Sequence, residues 1–219
     1  MKKHPQYILA VTNESLAGNL QQGMNIVSLN TFVAKAEDNL VIKQRAKLEQ
    51  EPEFRQIIPY VCVATQRDDK LHFWPYRRTE TSGEARLQGN VSIGFGGHID
   101  LVDVMHDNSV IDLFQTIGNA AARELGEELD LAGAGEEVNL FDNGILIDDS
   151  NEVGKVHLGV VLTAILPQNV TPTSKEDALE VLPAMSAREL LDSGLPLEPW
   201  SRIILESIVK VEVGEGEPA

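Results

Sequence analysis

The chain has 219 residues, 42% of them hydrophobic but only 5% aromatic, and a formal net charge of -16. That length supports one substantial core, or one domain with an extension, packed mainly from aliphatic side chains. So acidic a balance argues against binding a nucleic acid polymer or an anionic membrane without regard to sequence, because phosphate neutralisation needs clustered Lys and Arg. Cys62 is the single cysteine, so no intramolecular disulfide can form, which fits a reducing compartment. No apolar run approaches membrane-span length, and the run after Lys2 and Lys3 is too short for a signal peptide. A cytoplasmic protein is expected.

Residues 1–55 mix short apolar runs with polar breaks: YILAV from Tyr7, NIVSLNTFV from Asn25, and VIKQRAKLEQE from Val41, which reads as a charged helix. They are expected to form an extension packed on a main domain at 56–212, with a flexible tail at 213–219. Residues 57–66 and 70–78 flank the turn RDD like a hairpin, and Pro75 marks the second strand as an edge or a bulge. Residues 81–90 read as a loop. Residues 91–100 begin as a strand and end in the glycine-rich bend GFGGH at 94–98. Ser109 followed by Asp112 resembles a capping box, predicting a helix to about Leu129 with a bend near Gly118 and Asn119. Residues 143–149 and 156–167 read as strands, the second apolar enough to be covered on both faces. SAREL at 186–190 is another capping-box start with Gly194 just past its end, and Trp200, Ile203, Ile204, Ile208 and Val211 trace one face of a closing helix. The irregular alternation predicts an α+β fold, a mixed sheet sandwiched by helices.

The helix at 120–131, AAARELGEELDL, crowds Glu124, Glu127 and Glu128 together. With Glu124 at 0° on the helical wheel, Glu127 falls near -60° and Glu128 near +40°, one arc of roughly 100° that borders the stripe of Ala121, Leu125 and Leu129. Like charges three and four apart repel, at a few tenths of a kcal/mol per pair. A solvated acidic face would tolerate that cost. A divalent cation bound between the carboxylates would reverse its sign, since hard ions take oxygen ligands. On these residues alone the two readings are equal. Upstream, Gly96 and Gly97 permit positive φ or a close approach of the backbone to a ligand or another element.

Taken together, the glycine pair and RELGEELDL resemble the Nudix hydrolase motif, Gly-x5-Glu-x7-Arg-Glu-U-x-Glu-Glu-x-Gly-U, with U aliphatic. The match runs from Gly97 to Leu131 and holds at Arg123, Glu124, Leu125, Glu127, Glu128 and Leu131. Two departures stand out. Gly97 and Arg123 are 26 positions apart where the motif has 14, so 12 residues are inserted. Counting forward from Gly97 puts the first motif glutamate at Asp103; counting back from Arg123 puts it at Gln115. The insertion is expected to enlarge the loop LVDVMHDNSV. The second departure is Asp130 in place of glycine, where a helix end would favour left-handed backbone.

The resemblance implies a Nudix-like α/β/α sandwich and Mg²⁺- or Mn²⁺-dependent hydrolysis of a small-molecule diphosphate, a nucleoside diphosphate linked to another moiety. It implies metal ligation by Glu124 and Glu128, with Glu127 as a further ligand or the base, Arg123 positioning a glutamate, and the Gly97 carbonyl completing the metal shell. Gly96, Gly97 and His98 would face substrate, although a histidine after a glycine pair is more often bonded to backbone. Arg77 and Arg78 could meet phosphate or simply be solvated, and Glu176, Asp177 and Glu180 are further candidate bases. A homodimer is a family-based expectation. Two other functions are weighed: a Nudix-like sensor that binds a nucleotide without hydrolysis, and an isopentenyl-diphosphate-isomerase-like enzyme. The second needs a cysteine just before the Gly-His step, where SIGFGGH has none.

Overall fold

The computed structural model describes residues 5–16, 20–79, 88–131 and 138–214. Most of the loop expected at 81–90 and the tail from 215 onward lie outside them. Strand β1 (Tyr7–Thr12) buries Ile8, Leu9, Ala10 and Val11 and is followed by the single turn α1 (Asn13–Leu16). After β2 (Gly23–Asn25), helix α2 (Leu29–Ala36) starts where the Ser28 hydroxyl accepts the Thr31 N–H. The charged stretch from Val41 is not a helix throughout. Its first half is β3 (Leu40–Gln44), antiparallel to β1 from Tyr7 opposite Gln44 to Val11 opposite Leu40, and only α3 (Arg45–Leu48) is helical. Ladder bonds to β1 outweigh the helical propensity of the lysines and glutamine.

Strand β4 (Phe54–Arg67) is buried at every residue from Arg55 to Thr65. Asp68 and Asp69, at φ 49° and 61°, turn it into β5 (Lys70–Phe73), with Arg67 opposite Lys70. Pro75 then splits the expected long strand, and β6 (Tyr76–Arg78) pairs with β7 (Val91–Ser92) instead. Next come β8 (Gly94–Phe95) and a hairpin of β9 (His106–Asp107) and β10 (Val110–Ile111) around Asn108 and Ser109, at φ 47° and 72°. Ser109 is therefore a turn residue and not a helix cap. Asp112 caps helix α4 (Leu113–Glu128), its Oδ1 accepting the Gln115 N–H at 2.9 Å. The helix continues unbroken past Gly118 and Asn119. The remaining strands are β11 (Leu129–Asp130), β12 (Leu140–Ile147), β13 (His157–Leu166), β14 (Thr173–Ser174), β15 (Leu179–Val181) and β16 (Met185–Ser186). Strand β13 is buried along nearly its whole length, as its apolar run requires.

Ser186 and Glu189 form a reciprocal capping box on α5 (Ala187–Asp192), and Gly194 follows at φ 72°. The closing helix α6 (Pro199–Glu212) buries Ser201, Ile204, Leu205 and Val209. Val211 is 64% exposed, so the buried stripe is rotated from the expected one. Its first member is Ser201, whose hydroxyl accepts the Ile93 N–H at 3.0 Å, a polar residue that an apolar count passes over.

The chain forms two compact units. The first holds the residues up to Tyr60, Gly96–Glu124 and Asp142–Leu162. In it, β1 lies between β3 and β4, and β12 lies between β13 and β2. Ile8, Ala10 and Leu48 form a small core with Val41 and Phe54 against it. The second holds Val61–Phe95, Leu125–Phe141 and the residues from Thr163. There β5 lies between β4 and β16, β6 between β15 and β7, and β11 pairs with β14. Antiparallel ladders, with a parallel bridge from Val91 to Leu197, and the six α-helices of the described residues give the α+β class expected from the sequence. Among the described residues no helix is long and apolar enough to cross a membrane.

Candidate active site

The glycine pair follows β8 and packs closely on two neighbours. Neither Gly96 nor Gly97 has a positive φ, so conformational freedom is not what glycine supplies here. A Cβ on Gly96 would collide with the Pro59 carbonyl oxygen. A Cβ on Gly97 would sit 2.6 Å from Oε1 of Glu124 and 2.8 Å from its Oε2. Gly97 thus lays bare main chain directly against the Glu124 carboxylate.

Arg123 ties this corner together. Its Nε and Nη2 donate to the two oxygens of Asp103, each at 2.8 Å. Its Nη1 donates to Glu124 Oε1 at 2.8 Å, and Nη2 also donates to the His98 carbonyl at 3.0 Å. Such forked, charge-assisted bonds fix the geometry of both partners. The hydrogen bonds to Asp103 hold the Arg123 guanidinium above its ordinary pKa, with Glu124 adding to the effect.

Asp103 is 3% exposed, and its whole surroundings are built to hold it. Its Oδ2 accepts the Asp100 N–H at 2.8 Å, and its carbonyl accepts from Asn119 Nδ2 at 3.2 Å. The two ways of counting the motif are thereby distinguished: the forward count reaches the acid that meets Arg123. Gln115 instead bonds Asn119 and is exposed. The 12-residue insertion falls after Asp103, where the β9–β10 hairpin lies.

Farther along α4, Glu127 is exposed and Glu128 is partly buried. The helix ends at Glu128 without a left-handed cap. Asp130 belongs to β11 and pairs with Thr173, while the Lys175 N–H donates to the Glu128 carbonyl at 2.9 Å and its ammonium to the Gly126 carbonyl at 2.7 Å. A cation and an N–H satisfy the terminal carbonyls, so glycine is not needed at 130.

His98 is not bonded to backbone through its ring. Nε2 lies 2.9 Å from Gln56 Oε1 and 3.3 Å from His157 Nε2. Burial, Arg45 and His157 together push its pKa down to about 3, so the ring is neutral.

Protein YmaB of Bacillus subtilis (strain 168) is 30% identical over 165 residues, which are 74% of this chain and 75% of YmaB. Tm1382, a structure assigned to the Nudix hydrolases, superposes with a TM-score of 0.73 at 22% identity, over 94% of this chain and all of that one. The chain belongs to the YmaB family and has the Nudix fold. The Nudix domain of Shewanella oneidensis NrtR, complexed with ADP ribose, aligns at a TM-score of 0.50 and 14% identity over 72% of this chain and 88% of that one. A Nudix hydrolase from Alicyclobacillus acidocaldarius aligns at 0.51 and 15% over 75% and 97%. No family model matches the sequence.

On this Nudix fold the predicted Gly96, Gly97, His98, Arg123 and Glu124 come together, and Glu127 and Glu128 follow within one turn of the same helix. Asp103 joins them, and so do Gln56 and His157, which were not singled out. The forward count from Gly97 was a signal for Asp103. Nothing in the sequence pointed to Gln56, which reaches His98 from 42 residues upstream. Among the described residues no three His, Cys, Asp or Glu side chains converge as a ready-made metal cluster. Of the other candidates, Arg77 pairs with Glu180, and Arg78 with Glu198. Cys62 lies opposite Gly94 in the β4–β8 ladder, close in space though far in sequence. It is 1% exposed, and burial pushes its thiol up to about 12, so it stays a neutral, inert thiol.

Proposed function

We propose that the protein is a divalent-cation-dependent hydrolase that cleaves the diphosphate bond of a nucleoside diphosphate linked to another moiety. The observation that carries this reading is the Arg123 fork, which orients Glu124 under a glycine with no side chain to cover the carboxylate. A helix that spends its one arginine on placing a glutamate is not arranged merely to solvate an acidic face. The donors fit a hard cation: Glu124, Glu127 and Glu128 are all carboxylates on one helix, and Glu127 is exposed.

Glu124 and Glu128 would hold Mg²⁺ or Mn²⁺, with Glu127 as a third ligand or as the base. When bound, the cation neutralises the charge of the diphosphate, which this acidic protein would otherwise repel, and charge that develops as the bond breaks. The chain's own residues do the rest. Arg123 keeps Glu124 oriented. Asp103 neutralises Arg123, so the arginine stays directed at the helix. A carboxylate of α4 not engaged by the cation accepts the proton of the attacking water.

The test is a panel of nucleotide sugars, dinucleoside polyphosphates, ADP-ribose, NADH and noncanonical dNTPs, assayed with Mg²⁺ and Mn²⁺ beside a Glu124→Gln, Glu128→Gln double variant. Turnover of one class by the natural protein, lost in the variant, supports the reading. Equal activity in the variant refutes the site, and tight nucleotide binding without turnover favours a sensor.

A further inference from the structure

Strand β6 carries two arginines, and alternate residues of a strand face opposite ways. Arg77 pairs with the exposed Glu180. Arg78 lies on the side of Tyr76. Its Nε donates to Glu198 Oε1 at 2.8 Å, its Nη2 donates to the Tyr76 hydroxyl at 3.2 Å, and the guanidinium lies 5.4 Å from the centre of the Tyr76 ring. The Arg78 side chain is 26% exposed. Among the described residues, the N–H groups of its Nη1 have no hydrogen-bond partner. The head group is fixed by two partners and keeps donors in hand. It is also tied to the carboxylate helix. The Lys175 N–H donates to the Glu128 carbonyl at 2.9 Å. A few residues on, Leu179 stands opposite Arg78 in the β15–β6 ladder, and Thr79 donates its N–H to the Ala178 carbonyl and its hydroxyl to the Asp177 carbonyl, each at 2.9 Å. One short loop thus runs from Glu128 to Arg78. The two side chains act on each other as well: burial lowers the Arg78 pKa, but Tyr76, Glu198 and Glu128 together hold it above its ordinary value.

We propose that Arg78 binds a non-bridging phosphate oxygen of the diphosphate substrate through Nη1, and that Glu198 is the residue that positions it. This rests on the hydrolase reading above and adds a contact that the acidic helix cannot make for itself. A metal held by carboxylates offsets the charge of a diphosphate, whereas the planar donors of an arginine match phosphate geometry and fix its orientation. A guanidinium already held at Nε and Nη2 loses little freedom when a third partner arrives. In a chain of net charge -16, Arg123 is committed to Asp103 and Glu124, while Arg78 still has donors to offer beside Glu128.

The experiment uses the full chain and ADP with a methylene bridge between its phosphorus atoms, titrated by calorimetry in the presence of Mg²⁺. The natural protein should bind this probe. Arg78→Gln should weaken binding by about tenfold or more, the worth of one charge-assisted hydrogen bond. Arg78→Lys should recover part of that loss. Glu198→Gln, which loosens the arginine without removing it, should weaken binding less than Arg78→Gln does. Absence of binding by the natural protein, or equal binding by Arg78→Gln, overturns the proposal. So does an equal loss in all three variants, the pattern of an ion pair that only supports the fold. Because Arg78→Gln could unfold the chain, a second measurement uses the unaltered protein: the guanidinium resonances of Arg78 should shift on adding the probe, and unchanged resonances at saturation overturn the proposal equally. Binding through Arg78 without turnover of any substrate in the panel would defeat the hydrolase reading and leave this assignment standing. Turnover that Arg78→Gln leaves unimpaired would do the reverse.

Discussion

At the Gly97–His98 step the main chain meets one kind of chemistry and the histidine ring another. Arg123 joins the His98 carbonyl to Asp103 and Glu124, so a cation and two anions share one corner. Among the described residues the ring of His98 is bonded to Gln56 and His157, groups without formal charge when the imidazoles are neutral. The charged corner is stable because each ion has its partner before it leaves water, as burial of charge requires. The neutral corner needs no counter-ion. One bend thus sets an ion-paired corner beside a neutral one.

The comparison can be broken in four ways. The largest effect falls on catalysis: Glu124→Gln with Glu128→Gln should lower kcat/KM on the best substrate of the panel by about 10³-fold, the scale on which acid–base and electrostatic groups act. The fold should survive, since both side chains keep their shape, and circular dichroism checks this. Next is Asp103→Ala, which leaves Arg123 half-buried without its main counter-ion. A loss of about 3 kcal/mol in urea unfolding is expected, and Asp103→Asn should lose less. Third, Gly96→Ala should cost about 1–3 kcal/mol, because its methyl group meets a Pro59 carbonyl that cannot move aside. Gly97→Ala should cost less stability and more activity, since what it displaces is the Glu124 side chain.

Smallest per pH unit is the effect on the pH dependence of stability. Folded His98 stays neutral down to about 3, below its ordinary 6.5. Between those values the unfolded chain binds the extra proton, so stability contributed by His98 is present above pH 6.5 and is lost as pH falls toward 3. His98→Gln should flatten the acid limb of the stability curve by at most about 1.4 kcal/mol per pH unit. An unchanged limb would mean that the ring is not held neutral.

Local signals were legible wherever one segment decided the outcome. The Ser186 capping box, the Asp68–Asp69 turn, the break at Pro75 and the buried run of β13 all follow from residues close in sequence. Misreadings arose where a distant partner decided. Val41–Gln44 became a strand because β1 was there to pair with it. Asp130 needed no glycine geometry because Thr173 and Lys175 arrived at the helix end. Val211 is exposed, and the buried stripe begins at Ser201, which accepts a hydrogen bond from the distant Ile93 N–H.

The sequence by itself determined the carboxylate helix, since the spacing of Glu124, Glu127 and Glu128 places them on one arc by helix geometry alone. Which acid answers Arg123 was decided only by the tertiary structure. Two counts of an interrupted motif gave Asp103 and Gln115, and the folded loop buries the first against the guanidinium and exposes the second. The placing of His98 beside Gln56 and His157 was also a tertiary decision, because contacts across 42 and 59 residues depend on which strands lie near the bend. Periodicity reports which face a residue occupies, and only packing reports what that face meets.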